Sequence, residues 1–225
     1  MAFTTLDLSK QSGVVETDNL GSGTASSSTV LYGDKTYKAE PSGNHVLLGQ
    51  AESSSADSII SVEDKFSTTY DFYVWHLMWL QTTDGSDTRF RWLTSGSTEV
   101  SGSHYVYTSD RHEINSTPST YAGADHSGWA QSYALLTNNM APASETDIHT
   151  LNMYLYNPYK GSHITRAKAF GFKSYIRTDN TYRGGTFTID YKSGTGSDTY
   201  SGFKVWASSG YMTNYKWQLY GIKGS

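Results

Sequence analysis

From residue 44 onward, short apolar and aromatic runs recur about every dozen residues, with clusters of Gly, Ser, Asp and Asn between them. In Leu151–Tyr156, Phe187–Tyr191 and Tyr215–Tyr220, large apolar residues alternate with polar or aromatic residues. A period of two residues is typical of a β-strand, because successive side chains point to opposite faces of a sheet. The same stretch contains no convincing amphipathic helix, so the spacing predicts an all-β fold, an antiparallel sandwich or barrel.

The strongest of these runs is Tyr70–Gln81, which has apolar residues at both odd and even positions. Such a run indicates either a central strand that is covered on both sides or one face of a deep sandwich. The Gly-containing turn Thr83–Ser86 predicts a hairpin to the next run, Arg89–Leu93. The segment Trp129–Thr137 is compatible with a strand or with a short helix.

Residues 1–43 have a different composition, rich in Ser, Thr and Gly and poor in large apolar side chains. They predict an extended N-terminal arm with one short strand, Thr29–Tyr32, and a turn at Gly33-Asp34. Such an arm buries too little surface to order itself, so we expect it to order against a partner, a disordered leader being the alternative. The predicted division is an arm at 1–43 and a β-domain at 44–225. The side chains expected to dock the arm are Leu20, Val30, Leu31, Tyr32 and Tyr37.

The chain of 225 residues has no cysteine, which excludes a disulfide scaffold, a cysteine-ligated zinc site and a thiol nucleophile. Its formal net charge of -4 argues against a protein that neutralises nucleic-acid phosphates. No apolar stretch approaches the roughly 20 residues that a membrane-spanning helix needs. We therefore expect neither a nucleic-acid partner nor membrane insertion.

The seven histidines are scattered and form neither an HxH nor an HExxH pattern. One cluster, Asp110–Glu113, combines acidic, basic and imidazole groups, but adjacent residues of an extended chain point to different sides. A solvated loop or an intersubunit ion pair is therefore favoured there over an acid–base site. No nucleophile elbow, phosphate-binding loop or dinucleotide-binding fingerprint is present. We expect no enzymatic activity and no catalytic, cofactor-binding or metal-binding residues.

Two segments resemble bacteriophage virion proteins. Leu20–Tyr37 is similar to a tail-fibre linker motif, GTAxSSTxLRGDGTW, and departs from it at Tyr32, Lys35 and Tyr37. Phe203–Lys223 resembles the closing hairpin of a jelly-roll-like domain of phage virion proteins, through Ser208–Gly210 and Leu219–Ile222. The matched residues of the linker motif are Gly23, Thr24, Ala25, Ser27, Ser28, Thr29, Leu31, Gly33, Asp34 and Thr36.

Thr82–Gly96 and Met153–Lys160 stand where that domain has its hairpin and its Tyr-Asn-Pro turn, so the resemblance covers most of the chain from Tyr70 onward. It implies a jelly-roll-like β-sandwich, a non-enzymatic component of the virion surface, and a homo-oligomer, often a trimer. A protein of this kind is made in the host cytoplasm and assembled on the particle, where it contacts other tail or capsid proteins.

The leading hypothesis is a tail-fibre-like or tail appendage subunit that acts by oligomeric assembly and host attachment. The alternative within the same class is a capsid decoration protein bound to the head. An alternative of another class is a carbohydrate-binding module that recognises a host surface glycan. For it, the turn-rich segment Ser109–Gly128 is the candidate specificity loop, with packing against a neighbouring subunit as the competing interpretation. The proposed contact residues are Tyr121, Asp125, His126 and Trp129.

Aromatic residues exceed what a core of this size requires, and some of them are expected to serve subunit or ligand contacts. Tyr and Trp suit this role because they bring a large contact area at a low cost in side-chain entropy. About half of them are expected to pack in the core or across strands instead, because Tyr is intermediate in burial. The candidates are Tyr105, Tyr107, Tyr121, Trp129, Tyr133, Tyr156 and Tyr159.

Overall fold

The computed structural model describes residues 29–31, 37–39, 44–83, 85–114, 120–140, 148–159, 168–176, 182–191 and 199–223. The chain divides into two compact units, Met1–Gly43 and Asn44–Ser225. In the first unit, β1 (Thr29–Leu31) and β2 (Tyr37–Ala39) pair in antiparallel fashion. The sequence predicted β1 but not β2, while Leu20, Tyr32 and the turn expected at Gly33-Asp34 lie outside the described residues.

The second unit is built from strands joined in antiparallel pairs, and the described residues contain no helix. The strands are β3 (His45–Ser53), β4 (Ile59–Val62), β5 (Phe72–Gln81), β6 (Ser86–Thr94), β7 (Thr98–Glu99), β8 (Tyr105–Ile114), β9 (Thr120–Gln131), β10 (Ala134–Met140), β11 (His149–Tyr156), β12 (Lys168–Ile176), β13 (Tyr182–Tyr191), β14 (Gly202–Ala207) and β15 (Met212–Ile222). The segment Trp129–Thr137, which the sequence left undecided, belongs to β9 and β10.

These strands form two sheets. The larger sheet has eight strands in the order β3-β15-β5-β11-β12-β13-β8-β9. The smaller sheet has the order β10-β6-β14-β4, with β7 paired to the end of β6. The two sheets pack face to face, which confirms the predicted all-β antiparallel sandwich.

The core between the sheets is rich in aromatic rings. Trp75 of β5 lies edge-on to Phe203 of β14, with ring centroids 4.8 Å apart, and therefore joins the two sheets. Phe90 and Trp92 of β6 pack edge to face at 4.8 Å, and neither is exposed to solvent. Because a pair of this kind contributes about 0.5–1.5 kcal/mol beyond its buried area, the aromatic layer holds the sandwich rigidly together.

The strand β5 lies in the middle of the larger sheet and has two unlike faces. Tyr73, Trp75, Leu77 and Trp79 point into the core and are at most 1% exposed. The alternate residues point outward, where His76 and Met78 are exposed. Of the two interpretations of this run, one face of a deep sandwich is therefore the correct one.

Tyr105 also joins the two sheets. From β8, its hydroxyl donates a hydrogen bond to the carbonyl of Val100 at 2.9 Å and accepts one from the amide of Trp92, also at 2.9 Å. Burial raises the pKa of Tyr105 well above its ordinary value, because ionisation would place a phenolate in the core. The expectation that Tyr105 serves surface contacts is wrong, since its side chain is fully buried.

Two tight turns, one predicted as a hairpin from its residues and one expected in a hairpin from the resemblance, connect the sheets instead. The turn around Gly85 leads from β5 in the larger sheet to β6 in the smaller one, and β5 does not pair with β6. The turn Ser208–Gly210 likewise leads from β14 to β15 across the sandwich. Turn residues specify a reversal of the chain but not its plane, so the available pairing edges decided between a hairpin and an arch.

The two arches lie side by side and are hydrogen-bonded to each other. Ser86 Oγ donates to the carbonyl of Ser209 at 2.9 Å, and the amide of Asp87 donates to Ser208 Oγ at 2.8 Å. Gly210 has a φ of 68°, and a Cβ at this position would overlap the side chain of Thr83. Glycine is therefore required here by both the backbone conformation and the close approach of the arches.

Candidate ligand-binding face

A groove runs along β5 on the outer face of the larger sheet. Its floor consists of Val74, His76 and Met78, which share the face of β5 that points away from the core. Cross-strand pairing places one wall residue on each side of every floor residue. The wall on β15 is Tyr220, Gln218 and Lys216, and the wall on β11 is Tyr154, Asn152 and Thr150. We call these nine residues the β5 groove.

The size of the β5 groove follows from sheet geometry. From Val74 to Met78 the floor extends about 13 Å, and the backbones of its two walls lie about 10 Å apart. Two adjoining depressions occupy it, one of about 460 Å³ and one of about 360 Å³, and both are lined by His76 and Gln218. Val74 is 6% exposed at the bottom of the first depression, between the rings of Tyr220 and Tyr154. The groove is therefore open, elongated and large enough for a small extended ligand.

Side-chain amides, the imidazole of His76 and a phenol form the middle of the groove. Nδ1 of His76 lies 2.5 Å from Oδ1 of Asn152, so the ring donates to the amide oxygen. The hydroxyl of Tyr220 donates to Oε1 of Gln218 at 3.2 Å, and Nε2 of Gln218 donates to Oε1 of Gln50 at 3.4 Å. These bonds hold the side chains in place. Each amide has two N–H donors and two acceptor lone pairs, so capacity remains for a ligand.

An aromatic cluster adjoins the wall on β11. Tyr154 and Phe170 are stacked with ring centroids 6.4 Å apart, and Phe172 meets Phe170 edge to face at 5.3 Å. Phe172 is 46% exposed, although burial of a Phe ring contributes up to about 3 kcal/mol. Tyr154 and Phe170 are half-buried beside it. Aromatic rings grouped on an outer face, with one of them largely exposed, favour a contact surface.

Formal charge is nearly absent from the β5 groove. Among the described side chains that line its two depressions, Lys216 is the one Lys, Arg, Asp or Glu. Its ammonium lies 3.3 Å from Oε2 of Glu52 on the neighbouring strand β3, so this charge is paired. The face therefore offers aromatic rings and neutral hydrogen-bonding groups, which suit non-covalent recognition.

The outer face of the smaller sheet is different. The guanidinium of Arg89 lies over the ring of Tyr133 at 4.5 Å, and Arg91 and Lys204 lie over Trp206 at 5.1 and 4.7 Å. Arg91 Nη1 donates to Oε2 of Glu99 at 2.6 Å, and Lys204 donates to its Oε1. We call Arg89, Arg91, Tyr133, Lys204, Trp206 and Glu99 the cation–aromatic cluster.

The electrostatics of this cluster centre on Glu99. The hydrogen bond from Lys204 holds the pKa of the Glu99 carboxyl below its ordinary value, partial burial opposes this shift, and the hydrogen bond from Arg91 reinforces it. Lys204 is only 7% exposed, so its charge depends on this partner. The rings of the cation–aromatic cluster are therefore already covered by Arg and Lys side chains of the protein.

The contact residues predicted from the sequence lie elsewhere, on β9. The stretch Ser109–Gly128, predicted as a specificity loop, is wrong as a loop, because β8 continues to Ile114 and β9 begins at Thr120. Trp129 is on the surface, 67% exposed. Tyr121, Asp125 and His126 are in β9, but their side chains lie outside the described part of the structure, and so do those of the arm residues Val30, Leu31 and Tyr37.

Sequence reasoning did not identify the β5 groove, although two of its signals were present. The alternation in Leu151–Tyr156 and in Tyr215–Tyr220 had indicated strands with one buried and one half-exposed face. What was missing was the pairing that places these two half-exposed faces on opposite sides of β5. Among the described residues, no group of three His, Cys, Asp or Glu side chains could hold a metal ion. Within the same residues, no helix is long and apolar enough to span a membrane.

Comparison of the sequence with models of known protein families found no match, and comparison with curated protein sequences found none either.

Proposed function

We propose that the protein is a structural subunit of a bacteriophage virion, a tail-fibre-like or tail appendage component. In this proposal residues 1–43 attach the subunit to another virion protein, and the β-sandwich at 44–225 is a rigid head that makes surface contacts. The observation that carries the proposal is the open face of the larger sheet, where rings such as Phe172 are exposed beside a groove. An exposed aromatic face on a tightly packed domain supports a role in contact.

The rigidity of the head supports the same role. Aromatic pairs such as Trp75–Phe203 join the sheets, and Tyr105 hydrogen-bonds across them. The hydrogen-bonded arches fix the end of the sandwich at which the chain crosses between sheets. A head exposed on a particle benefits from this construction because local opening precedes proteolysis.

The test is deletion of residues 1–43 in the phage that encodes the protein. We expect the head to fold, because its core consists of residues after 44, and we expect particles to lack the subunit when it is assayed by mass spectrometry of purified virions. Normal incorporation of the shortened chain would contradict the proposed anchoring role, and absence of the full-length chain from virions would contradict the proposed function. Antibodies against the protein that label the capsid of the particle in place of its tail would favour capsid decoration.

A second candidate function is recognition of a host surface glycan, and the β5 groove is the observation that favours it. Aromatic rings and neutral amides within one elongated depression are the side chains by which a protein orients a small polar ligand. The two functions are compatible, since a virion appendage can carry the recognition site.

A further inference from the structure

We propose that the β5 groove binds an uncharged oligosaccharide that lies along β5. The apolar faces of its sugar rings would pack against Tyr154 and Tyr220, and its hydroxyl groups would bond to Asn152, His76 and Gln218. This inference rests on the proposed contact function, because it takes the face to be a recognition site. The ligand class follows from the shape and side chains of the groove.

The shape of the groove favours an elongated ligand. The two depressions adjoin at His76 and Gln218, so together they form one elongated site about as long as the floor from Val74 to Met78. A linear ligand of a few ring-shaped units fits such a site, whereas a compact ligand would fill one depression and leave the other empty. The walls are side chains on regular paired strands, so the site exists before a ligand binds, which lowers the entropic cost of binding.

Aromatic and polar rows follow one another along the groove. Val74 forms an apolar floor between the rings of Tyr154 and Tyr220. The next outward-facing row of the sheet is polar on all three strands and consists of Asn152, His76 and Gln218. A sugar ring presents C–H groups on its faces and hydroxyls around its rim, so it matches this alternation. A wholly apolar ligand would dehydrate the hydrogen-bonding capacity that Asn152 and Gln218 do not use within the protein, and each buried group left unsatisfied costs about 1–3 kcal/mol.

The low charge of the groove favours an uncharged ligand. Among the described residues that line the groove, the single Lys is paired with Glu52, and the hydrogen-bonding groups at the centre are amides, an imidazole and a phenol. An acidic polysaccharide or a phosphate would compete there with Glu52 for a single ammonium, and the described lining residues include no Arg for the bidentate contacts that such ligands favour. The groove is therefore complementary to a neutral polyol.

A second copy of the chain is a poorer occupant. Two concave surfaces that meet around a two-fold axis would enclose a void, and they would bury Asn152 and Gln218 of both copies. Interfaces between copies instead favour closely packed, complementary cores.

The experiment uses the purified full-length protein on an array of immobilised oligosaccharides. The array carries uncharged hexose and N-acetylhexosamine chains together with uronate-bearing and phosphate-bearing chains. We expect binding to one or more uncharged chains, and titration calorimetry with the best of them then gives the affinity. Val74→Tyr fills the floor of the groove without removing a polar group, and we expect it to weaken binding by at least about tenfold.

The matched control is Thr188→Tyr. Thr188 is exposed on the same face, in the same cross-strand row, but beyond the aromatic cluster on β13. It introduces the same side chain outside the groove and should leave the affinity unchanged. Gln218→Met keeps the approximate volume and removes the hydrogen-bonding amide. It should also weaken binding, and it tests the site independently if Val74→Tyr does not fold.

Any of three binding results would overturn the inference: no uncharged chain binds at about 1 mM, acidic chains bind better than neutral ones, or both groove variants bind as the unmodified protein does. Conversion of an oligomer to a smaller species by Val74→Tyr, seen in sedimentation, would make the groove a subunit interface and would also overturn it. The proposed function fails separately: if the protein is absent from virions but binds neutral chains through the groove, the inference stands and the virion role does not.

Discussion

The outer faces of the two sheets both contain aromatic rings but surround them with different partners. On the smaller sheet, Arg91 and Lys204 lie over Trp206, and the carboxylate of Glu99 forms an ion pair with each of them. On the larger sheet, Tyr154 and Phe172 are surrounded by other rings and by amides, and a groove lies beside them. Aromatic residues alone therefore do not make a binding face. The ring faces must also remain uncovered by the charges of the protein itself.

The largest expected difference between the faces concerns their glutamates. Glu99→Gln leaves the nearly buried Lys204 without its anionic partner, and we expect a loss of about 1–3 kcal/mol in the free energy of unfolding. The matched variant is Glu52→Gln on the larger sheet, whose pair with Lys216 is solvent-exposed, with 74% and 50% of the two side chains accessible. It should cost less than about 1 kcal/mol. Urea denaturation of both variants measures the difference, and equal losses would contradict the contrast between the faces.

A smaller effect is expected from the rings. Trp206→Leu removes the aromatic face that Arg91 and Lys204 share, and it should lower the free energy of unfolding by about 1–2 kcal/mol. Tyr154→Leu on the larger sheet should cost less than about 1 kcal/mol, because a half-buried cross-strand contact is lost, but it should abolish binding of the neutral oligosaccharide. The reverse pattern, with binding lost in Trp206→Leu and kept in Tyr154→Leu, would show that the binding site lies on the smaller sheet and not in the β5 groove.

The smallest expected effect is a pH dependence confined to the cation–aromatic cluster. The pKa of Glu99 is lowered in the folded state from 4.5, so its carboxylate contributes stability that is fully present above this value. That contribution is lost as the pH falls through the lower folded-state pKa. The difference in unfolding free energy between the unmodified protein and Glu99→Gln should therefore shrink as the pH is lowered from neutral to values below 4.5. A difference that stays constant in acid would show that Glu99 acts through packing rather than charge.

Much of the fold was predictable because it depends on local alternation. The alternating runs Leu151–Tyr156, Phe187–Tyr191 and Tyr215–Tyr220 each lie within an observed strand. A side chain's preference for one face of a strand acts over neighbouring residues, so a single sequence reveals it.

The errors concern contacts between distant parts of the chain. The resemblance implied a hairpin at Ser208–Gly210, but this turn is an arch between sheets, because β15 pairs with β3 and β5 rather than with β14. The stretch Ser109–Gly128 is rich in turn-forming residues, and yet most of it forms strands. Pairing with β13 on the other side of β8 stabilises strands there despite their composition.

The candidate site separates the two kinds of information in the same way. The sequence by itself determined that Asn152 and Tyr154 share one face of their strand, that Gln218 and Tyr220 share one face of theirs, and that cysteine chemistry is excluded. Only the tertiary structure decided that these faces flank His76, a residue 76 positions from Asn152 in the chain. The physical reason is that alternation is a property of one strand, whereas strand order depends on which edges remain to be paired once the core is buried.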